Sequence, residues 1–127
     1  MTENEISKII VDCAFKVHTK LGPGLFEAVY EAAMAHELMK QDLRVERQVL
    51  IPITYDGVVL GDAFRADMIV EDMVIIELKS IEQVQPVHSK QLLTYLRLTN
   101  KRLGLLINFN VNMIRSGIQR IVNGLPE

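Results

Sequence analysis

Apolar positions recur along this chain with two different periods, and the period changes near residue 44. In the first stretch Ile6, Ile9, Ile10, Cys13, Ala14, Val17 and Leu21 follow one another at steps of three and four, opposed by Lys8, Asp12, Lys16 and Lys20. That spacing lays one apolar stripe along a helix. Thr2 and Glu5 have the spacing of a capping box, so the helix starts at once. Gly22-Pro23-Gly24 ends it and turns the chain. A second helix is predicted from about Leu25 to Lys40, a run of good helix formers without Gly or Pro. Its expected core face is Leu25, Val29, Ala32, Ala33 and His36.

From residue 44 to 55, R-V-E-R-Q-V-L-I-P-I-T-Y, the pattern alternates and is rich in β-branched residues. Pro52 places this strand at an edge or at a bulge. Asp56-Gly57 is a strong hairpin signal. The next strand begins at Val58, is expected to bend at Gly61-Asp62, and continues over 63–70. A third strand covers 73–79, and Pro86 opens a third helix over 87–101. The run L-G-L-L-I-N-F, 103–109, reads as a buried fourth strand. After Ser116-Gly117 the tail is either a short strand at 118–122 or a short helix. The order α-α-β-β-β-α-β predicts an α/β single domain: a mixed four-stranded sheet flanked by helices.

Composition narrows the function classes. At 127 residues, with 49% hydrophobic and 24% charged, the chain suits one ordinary core. A net charge of -2 and a pI near 5.9 give no global basic footprint. Nucleic-acid binding must therefore rest on a local patch. Aromatic residues are 6% and Trp is absent, so base stacking is not an obvious binding mode. Cys13 is the only cysteine, so there is no internal disulfide, and it reads as a small core residue. His18 and His36 read as surface or helix-edge residues, and no His pair has metal-ligand spacing. No apolar run is long enough to span a bilayer and the polar start T-E-N-E is no signal peptide, so a cytoplasmic protein is expected.

One stretch breaks the apolar logic. In F-R-A-D-M-I-V-E-D-M-V-I-I-E-L-K-S, residues 64–80, three charges stand within or at the end of buried strands: Asp67, Glu77 and Lys79. Such charges are unfavourable unless paired or metal-bound. Glu77 and Lys79 share a strand face. Asp67 joins them only if the hairpin pairs 67 with 77, through a three-residue loop or a bulge; a two-residue Glu71-Asp72 turn pairs 67 with 76 and separates the carboxylates. Carboxylate oxygens are hard ligands for Mg²⁺ or Mn²⁺, and a nearby lysine orients water or offsets negative charge. The bland alternative is a salt-bridged strand end, Asp67–Lys79 or Glu77–Lys79. Glu27 lies in the first turn of the second helix, where the dipole favours an acid, and Tyr30 one turn on either packs or meets substrate. Gln91 and Tyr95, four apart, share a face of the third helix and either contact phosphates or are ordinary helix-edge polar residues.

Taken together, G24-L-F-E27-A-V-Y30, R-A-D67, E77-L-K79, Q91-L-L-T-Y95 and the L-L-I-N-F strand resemble the GxxExxY proteins. Through them the chain is similar to the PD-(D/E)XK nuclease superfamily, especially members of the RecB and lambda-exonuclease type. The resemblance implies an αβββαβ core. It implies Mg²⁺ (or Mn²⁺) held by Asp67, Glu77 and the Leu78 backbone carbonyl, with Glu27 reaching the metal directly or through water. It implies that Lys79 positions the attacking water and that Gln91 and Tyr95 line the site. Ala66 stands where the name motif has proline.

The leading expectation is a Mg²⁺-dependent phosphodiesterase acting on DNA. Its candidate substrate contacts are Tyr30, Arg65, His88, Lys90 and Arg97, with Lys101 and Arg102 as further basic candidates. Lys90, Arg97 and Lys101 recur at steps of seven and four on the third helix, which is also the pattern of a solvated face. The competing expectations are a non-catalytic scaffold that binds a protein or nucleic acid, and a metal-dependent hydrolase of RNA or small nucleotides. A homodimer or a partner protein would help so small a domain to grip a duplex.

Overall fold

Thr2 starts the first helix, α1 (Glu3–Leu21), with the reciprocal cap its spacing predicts: the Glu5 N–H donates to Thr2 Oγ1 at 3.2 Å and the Thr2 N–H to Glu5 Oε1 at 2.9 Å. The computed structural model describes residues 1–126. Ile6, Ile10, Cys13, Ala14 and Val17 are buried, so the predicted stripe holds except at its exposed end, Leu21. His18 is a correction. It is buried rather than at the surface, and its Nε2 donates to the Val111 carbonyl at 2.8 Å.

Helix α2 (Glu27–Lys40) begins two residues later than predicted and presents a different face. Tyr30, Met34, Ala35 and Leu38 are buried, whereas Leu25, Val29, Ala32 and His36 are exposed. The helix is apolar on two sides, and the larger side chains take the core because they remove more apolar area from water. Tyr30 stacks on Phe109 with ring centroids 4.4 Å apart and planes at 6°.

The strands are β1 (Val45–Tyr55), β2 (Val58–Val70), β3 (Val74–Lys79), β4 (Leu103–Asn108) and β5 (Ile118–Val122). They form one sheet in chain order, with β3–β4 parallel and every other neighbour antiparallel. The tail is therefore a fifth strand, entered through a 3₁₀ turn at Ile114–Gly117, and the sheet is wider than the four strands expected. Strand β1 lies at an edge, where Pro52 is tolerated. Strand β2 is continuous through Gly61-Asp62, but the β1–β2 register shifts there, as the expected bend implies: the two steps from Pro52 to Thr54 oppose the four from Ala63 to Val59. Helix α3 (Pro86–Thr99) supplies the crossover and ends at Asn100, whose left-handed φ of 56° closes it before Lys101.

Helices α1 and α2 cover one face of the sheet, against Met68, Val70, Val74, Ile76, Leu78 and Ile107. Helix α3 covers the other, setting Leu92 and Leu96 against Ala66, Ile69, Ile75 and Leu106. It approaches so closely at Gly104 that a Cβ there would lie 2.9 Å from a Leu92 methyl carbon.

The β2–β3 turn decides where the charges go. Val70 pairs with Val74, so three residues, Glu71, Asp72 and Met73, make the connection. Glu71 and Asp72 are left-handed, at φ 54° and 55°, and the Met73 N–H donates to the Val70 carbonyl at 3.0 Å. Met73 is the extra residue. Carried one step past Met68–Ile76, this register sets Asp67 opposite Glu77.

Candidate functional site

The β2–β3 ladder stops where the acids meet. The Leu78 N–H donates to Asp67 Oδ2 at 2.8 Å. The N–H and C=O of one strand residue leave the strand on the same edge, so the Leu78 carbonyl also opens toward Asp67. Glu77 is only 9% exposed, and its Oε1 is buried with no hydrogen-bond partner. Burial first, then the Asp67 carboxylate, push the Glu77 pKa up to about 9, while Lys79 pulls it down. Lys79 is half-buried and, among the described residues, forms no ion pair with either acid. The salt-bridged strand end is not formed.

Tyr95 covers this side from α3. Its ring lies on Phe64 of β2, with centroids 3.7 Å apart and planes at 8°. Burial first, then Glu77 and Asp67, push its phenol up from the ordinary value. Gln91 stands one turn before it and is exposed.

The α2 side is an open cleft of about 260 Å³ lined by Glu27, Ala28, Glu31, Gln48, Asp67 and Leu78. Three bonds bring Glu27 there. The Tyr30 hydroxyl donates to the Gly22 carbonyl at 2.5 Å and accepts the Leu25 N–H at 3.1 Å, which fixes the turn before α2. The Ser80 hydroxyl donates to the Leu25 carbonyl, which fastens that turn to the end of β3. Tyr30 is thus fully buried and braces the site from beneath; a substrate contact is closed to it.

The other candidates divide. Arg65, Lys90 and Arg97 are exposed. His88 Nδ1 accepts the Gln85 N–H at 3.0 Å, so that nitrogen serves the α3 cap. Lys101 and Arg102 sit at the opposite end of the parallel strands, about 16 Å away by strand rise. There Lys101 Nζ meets Asp72 Oδ1 at 3.0 Å, and Arg102 grips Glu3 through two bonds of 3.0 and 3.1 Å. Neither can serve a substrate at the site, and Lys101 lies outside α3.

The structure adds residues that sequence reasoning missed. Glu31 follows Glu27 by four, a helical spacing that places both on one face. It is buried, with Arg47 Nε on one oxygen at 3.0 Å and Gln48 Nε2 on the other. Phe64 gave no local signal. Asn108 is a buried amide that accepts the Ile81 N–H at 3.1 Å and donates to the Ile81 carbonyl at 2.9 Å, holding the loop after β3.

Among the described residues no three His, Cys, Asp or Glu side chains converge to hold an ion by themselves. Asp67, Glu77 and the Leu78 carbonyl are two carboxylates and a carbonyl. That set fits Mg²⁺, which retains several waters and commonly takes one or two protein carboxylates. The buried, unpartnered Glu77 Oε1 beside a second carboxylate is a place where a cation satisfies an atom that the protein leaves bare.

A family model of the PD-(D/E)XK nuclease superfamily matches residues 4–121. The chain belongs to that superfamily. The match spans α1 through most of β5, so the α/β fold and the nuclease-like class apply to the domain as a whole. Nucleases of this superfamily generally use divalent metals, and the class implies interaction with nucleic acid. No curated protein and no solved structure gives a significant match. Among the described residues no helix is long and apolar enough to cross a membrane.

Proposed function

We propose that this PD-(D/E)XK domain is a Mg²⁺- or Mn²⁺-dependent phosphodiesterase that cleaves DNA in the cytoplasm, and that it is one of the GxxExxY proteins. The observation that carries the reading is the bare Glu77 Oε1, buried beside Asp67. Asp67, Glu77 and the Leu78 carbonyl hold the ion. When bound, it polarises a phosphoryl oxygen and lowers the pKa of a coordinated water.

The remaining roles belong to the chain's own side chains. Lys79 Nζ, without an acid partner, orients the attacking water and offsets charge gathering on the phosphate. Glu27, exposed on the cleft rim, contacts the ion through water. Tyr95 and Phe64 shield Glu77 from solvent, and Gln91 reaches outward to the substrate backbone. Arg65 and Lys90 supply the local positive charge that a pI near 5.9 denies the whole chain. A second copy of the chain or a partner protein extends the grip on a duplex.

A scaffold that binds without cutting is the second reading. It is favoured by the engagement of Lys101 and Arg102 at the far end of the sheet, which thins the basic surface. Cleavage of single-stranded DNA, duplex DNA and RNA, assayed with Mg²⁺, Mn²⁺ or EDTA in wild type and Lys79→Ala, separates the readings. Metal-dependent cleavage of DNA, lost in Lys79→Ala, is the expected result. Cleavage of RNA alone moves the substrate class, and absence of both cleavage and metal binding gives the scaffold the lead.

A further inference from the structure

From Val45–Val70 to Pro52–Ala63, strands β1 and β2 keep one register on both sides of a gap. Arg47 faces Met68 and Val49 faces Ala66, while Gln48 and Asp67 between them do not pair. Gln48 has φ +51°, a left-handed conformation in the interior of a strand. That conformation is unfavourable for residues other than Gly.

The ribbon turns over at this point. Residues two apart in a strand ordinarily share a face. Yet Val45, Met68 and Val70 pack toward α1 and α2, whereas Val49, Phe64 and Ala66 pack toward α3. The side chains of Arg47 and Gln48, adjacent in sequence, both reach Glu31 on α2. Consecutive strand residues aimed the same way mark a local turnover of the strand, and it inserts no extra residue, because the register is the same on both sides. Asp67 is the β2 residue at the crossover, and its carboxylate consequently meets the Leu78 N–H and the cleft.

We propose that Gln48 is a positioning residue for the metal site, an inference that rests on the function proposed above. Its left-handed backbone makes the turnover, and its amide, anchored on Glu31, holds Asp67 at the angle that lets both carboxylates face one ion. Arg47 neutralises Glu31 on the other oxygen, so the anchor adds no third bare acid to the site.

Mn²⁺ titration by calorimetry, paired with thermal unfolding in EDTA, tests this on wild type, Gln48→Gly and Glu31→Gln. Gln48→Gly keeps the left-handed backbone and removes the anchor. Glu31→Gln weakens the anchor from the helix side. The expected result is Mn²⁺ affinity reduced about tenfold in Gln48→Gly and at least threefold in Glu31→Gln, with the metal-free melting temperature of Gln48→Gly close to that of wild type. A purely structural turnover would move the melting temperature and leave the affinity of the folded protein alone. Wild-type affinity in both variants overturns this inference while leaving the metal site standing. No Mn²⁺ binding by wild type overturns the proposed function, and this inference with it.

Discussion

Replacing Glu77 by Gln tests the electrostatics of the site directly. In the folded chain the Glu77 pKa rises from its ordinary 4.5 to about 9. Between those values the folded protein holds a proton that the unfolded chain has released. Stability is therefore fully present below about pH 4.5 and is lost as pH climbs through about 9. At pH 8 the ceiling on that loss is about 5 kcal/mol, at roughly 1.4 kcal/mol for each pH unit above the ordinary value. Water entering the open cleft lowers it, and we expect about 2 kcal/mol to remain. Glu77→Gln removes the titration, and its amide can donate to Asp67 as the protonated Glu77 carboxyl does, at every pH.

The assay is urea unfolding in EDTA at pH 5, 6.5 and 8. Wild type should lose stability with rising pH relative to Glu77→Gln, and the variant should lead by about 2 kcal/mol at pH 8, a large share of a domain's total. Mn²⁺ at pH 8 should then stabilise wild type and leave the variant unmoved, because an ion that binds only the folded form adds stability in proportion to its affinity. Parallel pH curves for the two proteins would refute the reasoning, since they would mean that Glu77 is ionised in the folded state without a cation.

Tyr30→Phe removes the hydroxyl that bonds Gly22 and Leu25, so its urea midpoint should fall by the equivalent of about 1–2 kcal/mol. Gly104→Ala places a Cβ 2.9 Å from a Leu92 methyl carbon, and thermal melts should show about 1–3 kcal/mol of destabilisation, partly recovered by Leu92→Val. Lys90→Ala should reduce the salt dependence of DNA binding by about one phosphate contact, whereas Arg102→Ala, which breaks a half-exposed pair with Glu3, should leave that slope alone and barely move the melting temperature.

What the sequence determined by itself is what neighbours in the chain can decide. Thr2 and Glu5 fix the start of α1, Asp56-Gly57 the first hairpin, and Pro86 the start of α3, because capping and turn chemistry act over a few residues. The order of elements and the closeness of Glu77 to Lys79 follow from period alone. Tertiary structure decided what depends on remote partners. The face that α2 buries was settled by Phe109 and the sheet beneath it, since two apolar sides compete on that helix. His18 is buried because a carbonyl 93 residues away accepts its N–H. Asp67 stands opposite Glu77 through Met73, one residue beyond a two-residue turn, and its carboxylate meets the Leu78 N–H where β1 and β2 turn over at Gln48. The acids were legible as letters. Their convergence required a register and a turnover of the β1–β2 ribbon, and both are set by packing between elements that local sequence does not encode.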